Sequence, residues 1–306
     1  MTDQGPVGRA YRLGRAVRWR LGIASVDGEL ERLRERIEAR DARRVLEQVR
    51  GGRDVCWLEP ETEAEPLVTI RIATYRRADQ LMERSLASAL RQTYPRLEIL
   101  VVGDCTDEAT ERAMRSVRDP RVRFVNLPHP SVYPLARADR YLVSGGVPMT
   151  LGTQLARGSW LTPCDDDDEL TDDHVEVLLR AAKAQRWEFV HSNTSREVTP
   201  GCWQTVGAPE LTIGQVTSGA VLYSLGLRFL PYSLTCWKLP EPHDWNLWRR
   251  MRDLGVVMGH LDAVTYRYHL PDHHRAPAGP VTAGPAAPPA TDPPHRARPS
   301  ARPPRR

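Results

Sequence analysis

What this chain of 306 residues lacks narrows its class first. It has five cysteines, Cys56, Cys105, Cys164, Cys202 and Cys236, and no C-x-x-C pair. That disfavours a zinc cluster, and the odd, scattered set suits a reducing compartment. No apolar run reaches the roughly 18 residues of a spanning helix, and the N-terminus has no apolar signal-peptide core. The chain is expected in the cytoplasm. Neither G-x-G-x-x-G nor G-x-x-x-x-G-K-[ST] occurs, which disfavours a dinucleotide site and a P-loop. Lysine is nearly absent (Lys183 and Lys238), and no function follows from that. A basic body is missing too. The net charge of +4 comes from the ends: residues 1–50 and 271–306 each carry +4, leaving −4 in 51–270. A core that binds nucleic acid needs a basic face, so no nucleic-acid partner is expected.

What is there centres on residues 160–170, WLTPCDDDDEL. A short apolar run stops, and Asp165, Asp166, Asp167 and Asp168 follow without a break. Like charges so close repel, so the run must bind a cation, accept hydrogen bonds or take up protons. Clustered hard oxygens suit Mg²⁺, Mn²⁺ or Ca²⁺. The plainer reading is a solvated acidic loop that caps the next helix. It accounts for Asp172 and Asp173, placed in a first helical turn behind Thr171 as N-cap. It does not account for four aspartates directly after a strand.

Four regions follow from the pattern. Residues 1–52 are helical. Within them, 9–21 (RAYRLGRAVRWRL) put Ala10, Leu13, Val17 and Leu21 on one face and arginines around the rest. Such a helix lies on an anionic membrane surface, giving a peripheral protein at the inner face of the membrane, or it docks on protein. A Glu/Arg-rich helix over 28–50 carries Leu30, Leu33 and Ile37 as a seam too short for a coiled coil. Residues 53–66 are an acidic linker. Residues 67–270 are the folded domain. The tail, 271–306, holds 11 of the 26 prolines and reads as disordered.

Within 67–270 strands alternate with helices: strands at 67–73, 97–103, 121–127, 159–164 and 187–192, and helices at 78–92, 108–118, 148–157 and 172–185. Asp107 is the expected N-cap of the second helix. This is the pattern of a doubly wound α/β sheet. Residues 193–242 give strands and loops without a clear period. A helix at 244–254 and short strands at 256–258 and 263–269 close the domain. Ligands in such sheets bind at the carboxyl ends of the strands. Thr74 and Tyr75, Asp104, and the aspartate run all fall there.

These residues resemble a family. PLVTIRIATYRRADQLMERSLASALRQTYPRLEILVVGDCTDE is similar to the opening of a family 2 glycosyltransferase, with its Thr74-Tyr75 strand end, its Gln92-Thr93-Tyr94-Pro95 helix end and Asp104. ARGSWLTPCDDDDEL resembles the Ala-x-Gly, strand, Asp-x-Asp-Asp block at Ala156, Gly158, Asp165, Asp167 and Asp168. HDWNLWRRM resembles the later Glu-Asp-Trp-x-Leu-Trp block. The likeness covers about 66–270. It departs from the family at Gly103, where Asp is frequent, at Met149 and Thr150, where Arg-Asn is frequent, and at His243, where Glu is usual.

The resemblance implies a GT-A (nucleotide-diphospho-sugar transferase) fold with a mixed sheet. It also implies inverting sugar transfer from a nucleotide-diphosphate sugar donor to a hydroxyl acceptor (a glycan, a lipid-linked glycan or a small molecule), with divalent Mn or Mg as cofactor. Residue by residue, Asp244 is the catalytic base, and Thr74, Tyr75, Asp104 and Asp165 bind the donor. Asp167 holds the metal; His269, in YRYH and outside these blocks, is a candidate further metal or phosphate ligand, with a structural histidine as its plain reading. Plain readings stand beside these: Asp104 as a turn cap, Thr74 and Tyr75 as strand-end packing, Asp244 as N-cap of a helix from 245, Trp248 as helix core. Two other classes stand as alternatives. One is a nucleotidyltransferase with a basic phosphate loop, for which Arg76-Arg77 speaks; the other is a non-catalytic scaffold.

Overall fold

The structure, a computed structural model, describes residues 26–51 and 65–270. The basic segment 9–21, the linker up to residue 64 and the tail from 271 lie outside the described residues, and with them the expectations placed there. Helix α1 (Val26–Gly51) precedes a sheet built from β1 (Val68–Thr74), β2 (Leu97–Gly103), β3 (Val122–Asn126), β4 (Trp160–Asp165), β5 (Glu169–Leu170), β6 (Phe189–Thr199), β7 (Cys202–Val206), β8 (Val221–Ser224) and β9 (Met258–Tyr268). A helix over 78–90, called α2, carries a π-helical segment at Leu81–Ser85. Then come α3 (Glu108–Ser116), α4 (Arg137–Tyr141), α5 (Gly146–Leu155), α6 (His174–Gln185) and α7 (His243–Asp253).

The sheet order is β3-β2-β1-β4-β8-β6-β9-β5, with β7 paired to β6. The first four strands are mutually parallel and apolar. Beyond β4 the sheet turns mixed: β8 is antiparallel to both β4 and β6, and β9 is parallel to β6. Successive side chains on a strand point to opposite faces, and that sorts the core. Val68, Ile70, Ile72, Trp160, Cys164, Val190 and Leu222 meet Leu81 and Leu86 of α2 and Leu178 of α6 on one face. Leu161, Phe189, Val221 and Tyr223 meet Leu247, Trp248 and Met251 of α7 on the other, joined by Ala42 and Leu46 of α1. The N-terminal helix is thus part of the domain's own packing. Arg50 forks onto the buried Glu188 at 2.6 and 2.9 Å, and Glu35 pairs with Arg249 at 2.9 Å.

Several boundaries move. Asp107 caps α3 as expected, accepting from Thr110 N at 3.0 Å. The helix expected from 172 starts at His174, with Asp173, not Thr171, at the N-cap; the Thr171 hydroxyl donates to Asp173 instead. The two strands expected at 256–258 and 263–269 are one, β9. Its register against β6 shifts around Ser192 and Asn193, and that irregularity fills the apparent gap. Helix α4, β7 and β8 have no counterpart in the periodicity. Among the described residues no helix is long and apolar enough to cross a membrane.

Candidate active site

Parallel pairing puts three strand ends side by side. Thr74 faces Gly103 in register, and Ala73 faces Asp165. The turns that follow β1 and β2 are tight: Arg76 and Cys105 have φ of 55° and 51°, the left-handed region that non-glycine residues avoid. The Thr106 hydroxyl accepts from Arg76 N at 3.0 Å and ties the two turns together.

The four aspartates do not act as one group. Burial alternates along them: Asp166 and Asp168 are buried, Asp165 and Asp167 half-buried. Asp166 Oδ2 accepts from the Thr74 hydroxyl at 2.9 Å and Tyr75 N at 3.3 Å, while Oδ1 accepts from Arg77 at 3.0 Å. Burial pushes its carboxyl up to about 6, against the pull of Arg77. Asp168 accepts from the Tyr266 hydroxyl at 2.9 Å and from His269 N at 2.8 Å. The same Tyr266 oxygen accepts from Asp165 N at 3.2 Å, so Asp168 braces the backbone of its neighbour. Asp167 shares the Arg77 guanidinium, and its carbonyl accepts from Arg84 at 3.0 Å.

Asp165 differs from all three. Among the described residues no side chain or amide hydrogen-bonds its carboxylate. Burial, then the charges of Asp167, Asp244 and Asp166, push it up to about 7, and Arg71 pulls it back. The charge of Asp244 thus acts on the end of β4 from the start of α7. Asp244 is not the N-cap: α7 starts at His243 behind Pro242, and Asp244 lies in its first turn, where Oδ1 accepts from Trp245 N at 2.7 Å. Trp248 is buried core, as the plain reading had it.

Asp104 is buried and engaged. Its Oδ1 accepts from the amide and hydroxyl of Ser131 at 2.9 and 2.6 Å, and Oδ2 from Tyr133 at 2.9 Å. It thus anchors the loop after β3. The Thr74 hydroxyl is committed to Asp166, whereas the Tyr75 ring stays open under the Arg76 guanidinium at 5.0 Å. The His269 ring lies 3.4 Å from Glu169 and 4.0 Å from Glu197, edge-on to Trp203.

Sequence reasoning missed Arg71. It sits in β1, wholly buried, donating to Met149 O at 2.9 Å, Thr153 at 3.3 Å and the Tyr232 hydroxyl at 3.2 Å. The signal was there: an arginine inside an apolar strand buried on both faces must find polar partners. It is a fixed cation behind Asp165. Two departures from the family pattern also find reasons. A Cβ at Gly103 would meet Asn126 Oδ1 at 2.5 Å, and that oxygen is bonded to Thr106 N. His243 Nδ1 lies 3.0 Å from the acceptor Leu142 O and Nε2 3.0 Å from Met149 Sδ, so the ring packs against the methionine that departs from the Arg-Asn pair. Burial holds His243 below the ordinary histidine range, with Asp244 opposing. Gly158 keeps the family residue because a Cβ there would lie 2.7–2.8 Å from backbone atoms of Leu67, Thr69 and Trp160.

A site for the implied divalent cation is not preformed by protein alone: among the described residues no group of three or more His, Cys, Asp or Glu is placed to hold one. The half-buried oxygens of Asp165 and Asp167 nonetheless fit a hard cation of the kind that uses one or two carboxylates and completes its shell with phosphate and water. Arg77, half of the pair that speaks for a phosphate loop, pairs here with Asp166 and Asp167.

Comparison with known proteins agrees with this edge. Residues 69–138 match the family model described as Glycosyl transferase family 2. The chain is 33% identical over 125 residues to the succinoglycan biosynthesis protein ExoO of Rhizobium meliloti (strain 1021), covering 41% of this chain and 32% of that one. It is 32% identical over 116 residues to the putative colanic acid biosynthesis glycosyl transferase WcaA of Escherichia coli (strain K12), 37% of each. The matched part is thus about a third of these relatives' length. Among solved structures, S. aureus TarS 1–349 superposes with a TM-score of 0.53 at 17% identity, covering 66% of this chain and 60% of that one. The same protein in complex with UDP-GlcNAc gives 0.52 at 15% identity, covering 67% and 59%. The sheet has the GT-A fold, and residues 69–138, which open with β1, match the model of glycosyl transferase family 2.

Proposed function

We propose that this sheet edge transfers a sugar, with inversion, from a nucleotide-diphosphate sugar to an acceptor hydroxyl. The observation that carries the reading is the acidic edge, where the charge of Asp244 reaches the Asp165 carboxylate. Asp165 ends a strand, Asp244 lies in the first turn of α7, and Asp165 has no protein partner among the described residues.

In this reading Asp244 takes the proton of the attacking hydroxyl. Asp244 is half-buried in the first turn of α7, and its Oδ1 accepts from Trp245 N at 2.7 Å, leaving Oδ2 for that proton. Asp165 meets the donor at its ribose or cation shell, and Asp167 is the direct cation ligand, Arg77 shifting to release it. A divalent cation would supply charge neutralisation at the departing diphosphate. Tyr75 gives the nucleobase a face to lie on. Asp104 keeps acceptor capacity for a base N–H beyond its three protein bonds, since a carboxylate accepts about four. His269 is left out of the cation set, because its ring keeps company with Glu169 and Glu197.

The test is incubation with Mn²⁺ and a panel of sugar nucleotides. Release of nucleoside diphosphate supports the reading. Pyrophosphate released from a nucleoside triphosphate and a sugar phosphate would assign the nucleotidyltransferase class. Release of neither, from protein that melts cooperatively, would leave a scaffold.

A further inference from the structure

Helix α1 presents two opposed faces. Gly28, Glu31, Ala42 and Leu46 are buried against the domain. Val26, Leu30, Leu33 and Ile37 are 78%, 59%, 47% and 56% exposed. At 100° per residue the buried set and the exposed set lie on opposite sides of the helix. A helix that covers a domain ordinarily turns charge to water on its outer side. This one turns a contiguous apolar seam outward over its first three turns, and the seam stops at Ile37, where Arg40 and Arg44 take over its line.

We propose that residues 9–21 form a helix that folds back along this seam, making an antiparallel helical hairpin with α1. Three observations point to that occupant. First, the spacings are complementary: Leu21, Val17, Leu13 and Ala10 run backwards along one face as Val26, Leu30, Leu33 and Ile37 run forwards. Antiparallel packing sets Leu21 by Val26, Val17 by Leu30, Leu13 by Leu33 and Ala10 by Ile37, so both apolar stripes end together. Second, residues 22–25 (GIAS) suit the connection. Helical hairpins use loops of about two to five residues. Gly22 stands where a helix ending at Leu21 needs its left-handed C′ residue, and Ser25 stands where α1 needs its N-cap. Third, segment 9–21 has five arginines and no acid, and Asp27, Glu29 and Glu38 stand exposed on α1, whereas Glu31 and Glu35 are bonded to Thr235 and Arg249 of the domain.

Tethering favours this occupant over a second copy. Four apolar side chains make a seam well short of the three to four heptads of a stable coiled coil. An intramolecular partner on a four-residue connection has an effective concentration in the millimolar range.

The experiment uses the full chain carrying Val17→Cys and Leu30→Cys, treated with a short bis-maleimide. Equal parts of isotopically heavy and light protein are mixed first, and linked peptides are read by mass spectrometry. Helix axes about 8–10 Å apart are within the reagent's span. The hairpin predicts a 17–30 link within single chains, heavy to heavy and light to light, and little link in an Ala10→Cys/Val26→Cys control, whose residues sit at opposite ends of the seam. A second readout is the labelling rate of Leu33→Cys, which should rise when Leu13→Glu and Val17→Glu are added. A heavy-to-light link would overturn the proposal in favour of a second copy. No link, with the Leu33→Cys thiol protected only when phosphatidylserine vesicles are added, would overturn it in favour of a membrane surface. No link and fast labelling throughout would show the seam to be bare.

Discussion

Asp165 and Asp167 can be set against Asp166 and Asp168. All four are one residue type in one unbroken run, yet their surroundings divide them by parity. The even pair is buried and hydrogen-bonded to β1, to Arg77, to Tyr266 and to the backbone before the end of the chain's described part. The odd pair is half-buried, and Asp165 has no hydrogen-bond partner for its carboxylate among the described residues. Strand β4 ends at Asp165, and the turn over Asp166 and Asp167, closed by Asp168 N donating to Asp165 O at 3.3 Å, sorts the charges. A run of like charge is therefore two objects: a buried brace that fixes the strand ends, and a half-buried pair in which Asp167 holds Arg77 and Asp165 holds no partner among the described residues. The same difference separates Asp104, engaged by Ser131 and Tyr133, from Asp244, whose charge acts on Asp165.

The largest effect expected on this contrast comes from Asp244→Asn. General-base loss should lower turnover by roughly 10²- to 10⁴-fold. The amide still accepts from Trp245 N, so the melting temperature and donor affinity should hardly move. Turnover by acceptor titration, with calorimetry of the donor alongside, checks both halves. Equal losses in binding and stability would make Asp244 a brace like the even aspartates.

Next is Asp168→Asn. Its amide leaves either the Tyr266 hydroxyl or His269 N facing a donor, at a cost of about 1–3 kcal/mol. Chemical denaturation measures this, and an unchanged midpoint would break the claim that the even pair serves the fold.

A smaller effect is pH-dependent. The folded Asp165 carboxyl titrates near 7 against an ordinary value of 3.8, raised chiefly by burial. A raised carboxyl favours the fold while protonated, and that stability is lost as pH rises from about 4 to about 7. The buried His174 and His191, held down at about 4, act oppositely over the same window, so the wild-type curve alone is uninformative. The difference between Asp165→Asn and wild type cancels them. The variant should gain in melting temperature relative to wild type as pH rises through that window, and added Mn²⁺ should shrink the gap. A difference flat with pH would mean that Asp165 is not strained by its neighbours.

The smallest is Tyr133→Phe, which removes one of three bonds to Asp104 and should cost about 0.5–1.5 kcal/mol. Exchange of the amides after β3 should quicken, with little change at β1.

The two halves of the sheet were not equally legible. From β1 to β4 the strands are parallel, apolar and separated by amphipathic helices, so period and turn residues suffice. The edge residues Tyr75, Asp104 and Asp165 could then be placed by topology. Past β6 the signal fades for identifiable reasons. Asn193 to Thr199 are polar because β6 runs out beyond the core to pair with β7. Strand β8 has four residues between loops, and β9 is interrupted by its register shifts. In the site, residue types were legible but partners were not. Nothing in DDDD says which oxygens Tyr266 and Arg77 will claim, since those residues come from distant parts of the chain. Arg71 was hidden because one arginine in a strand reads as an ordinary solvent-facing residue until both faces are seen to be covered.

The most direct test is a calorimetric titration of the sugar nucleotide identified by diphosphate release, with and without Mn²⁺, on Asp167→Asn and Asp168→Asn side by side. Parity predicts that Asp167→Asn melts like wild type and loses Mn²⁺-dependent binding. It predicts that Asp168→Asn melts lower but, where folded, keeps that binding. Mn²⁺-dependent binding by Asp167→Asn at wild-type affinity, or its loss in Asp168→Asn alone, would contradict the account.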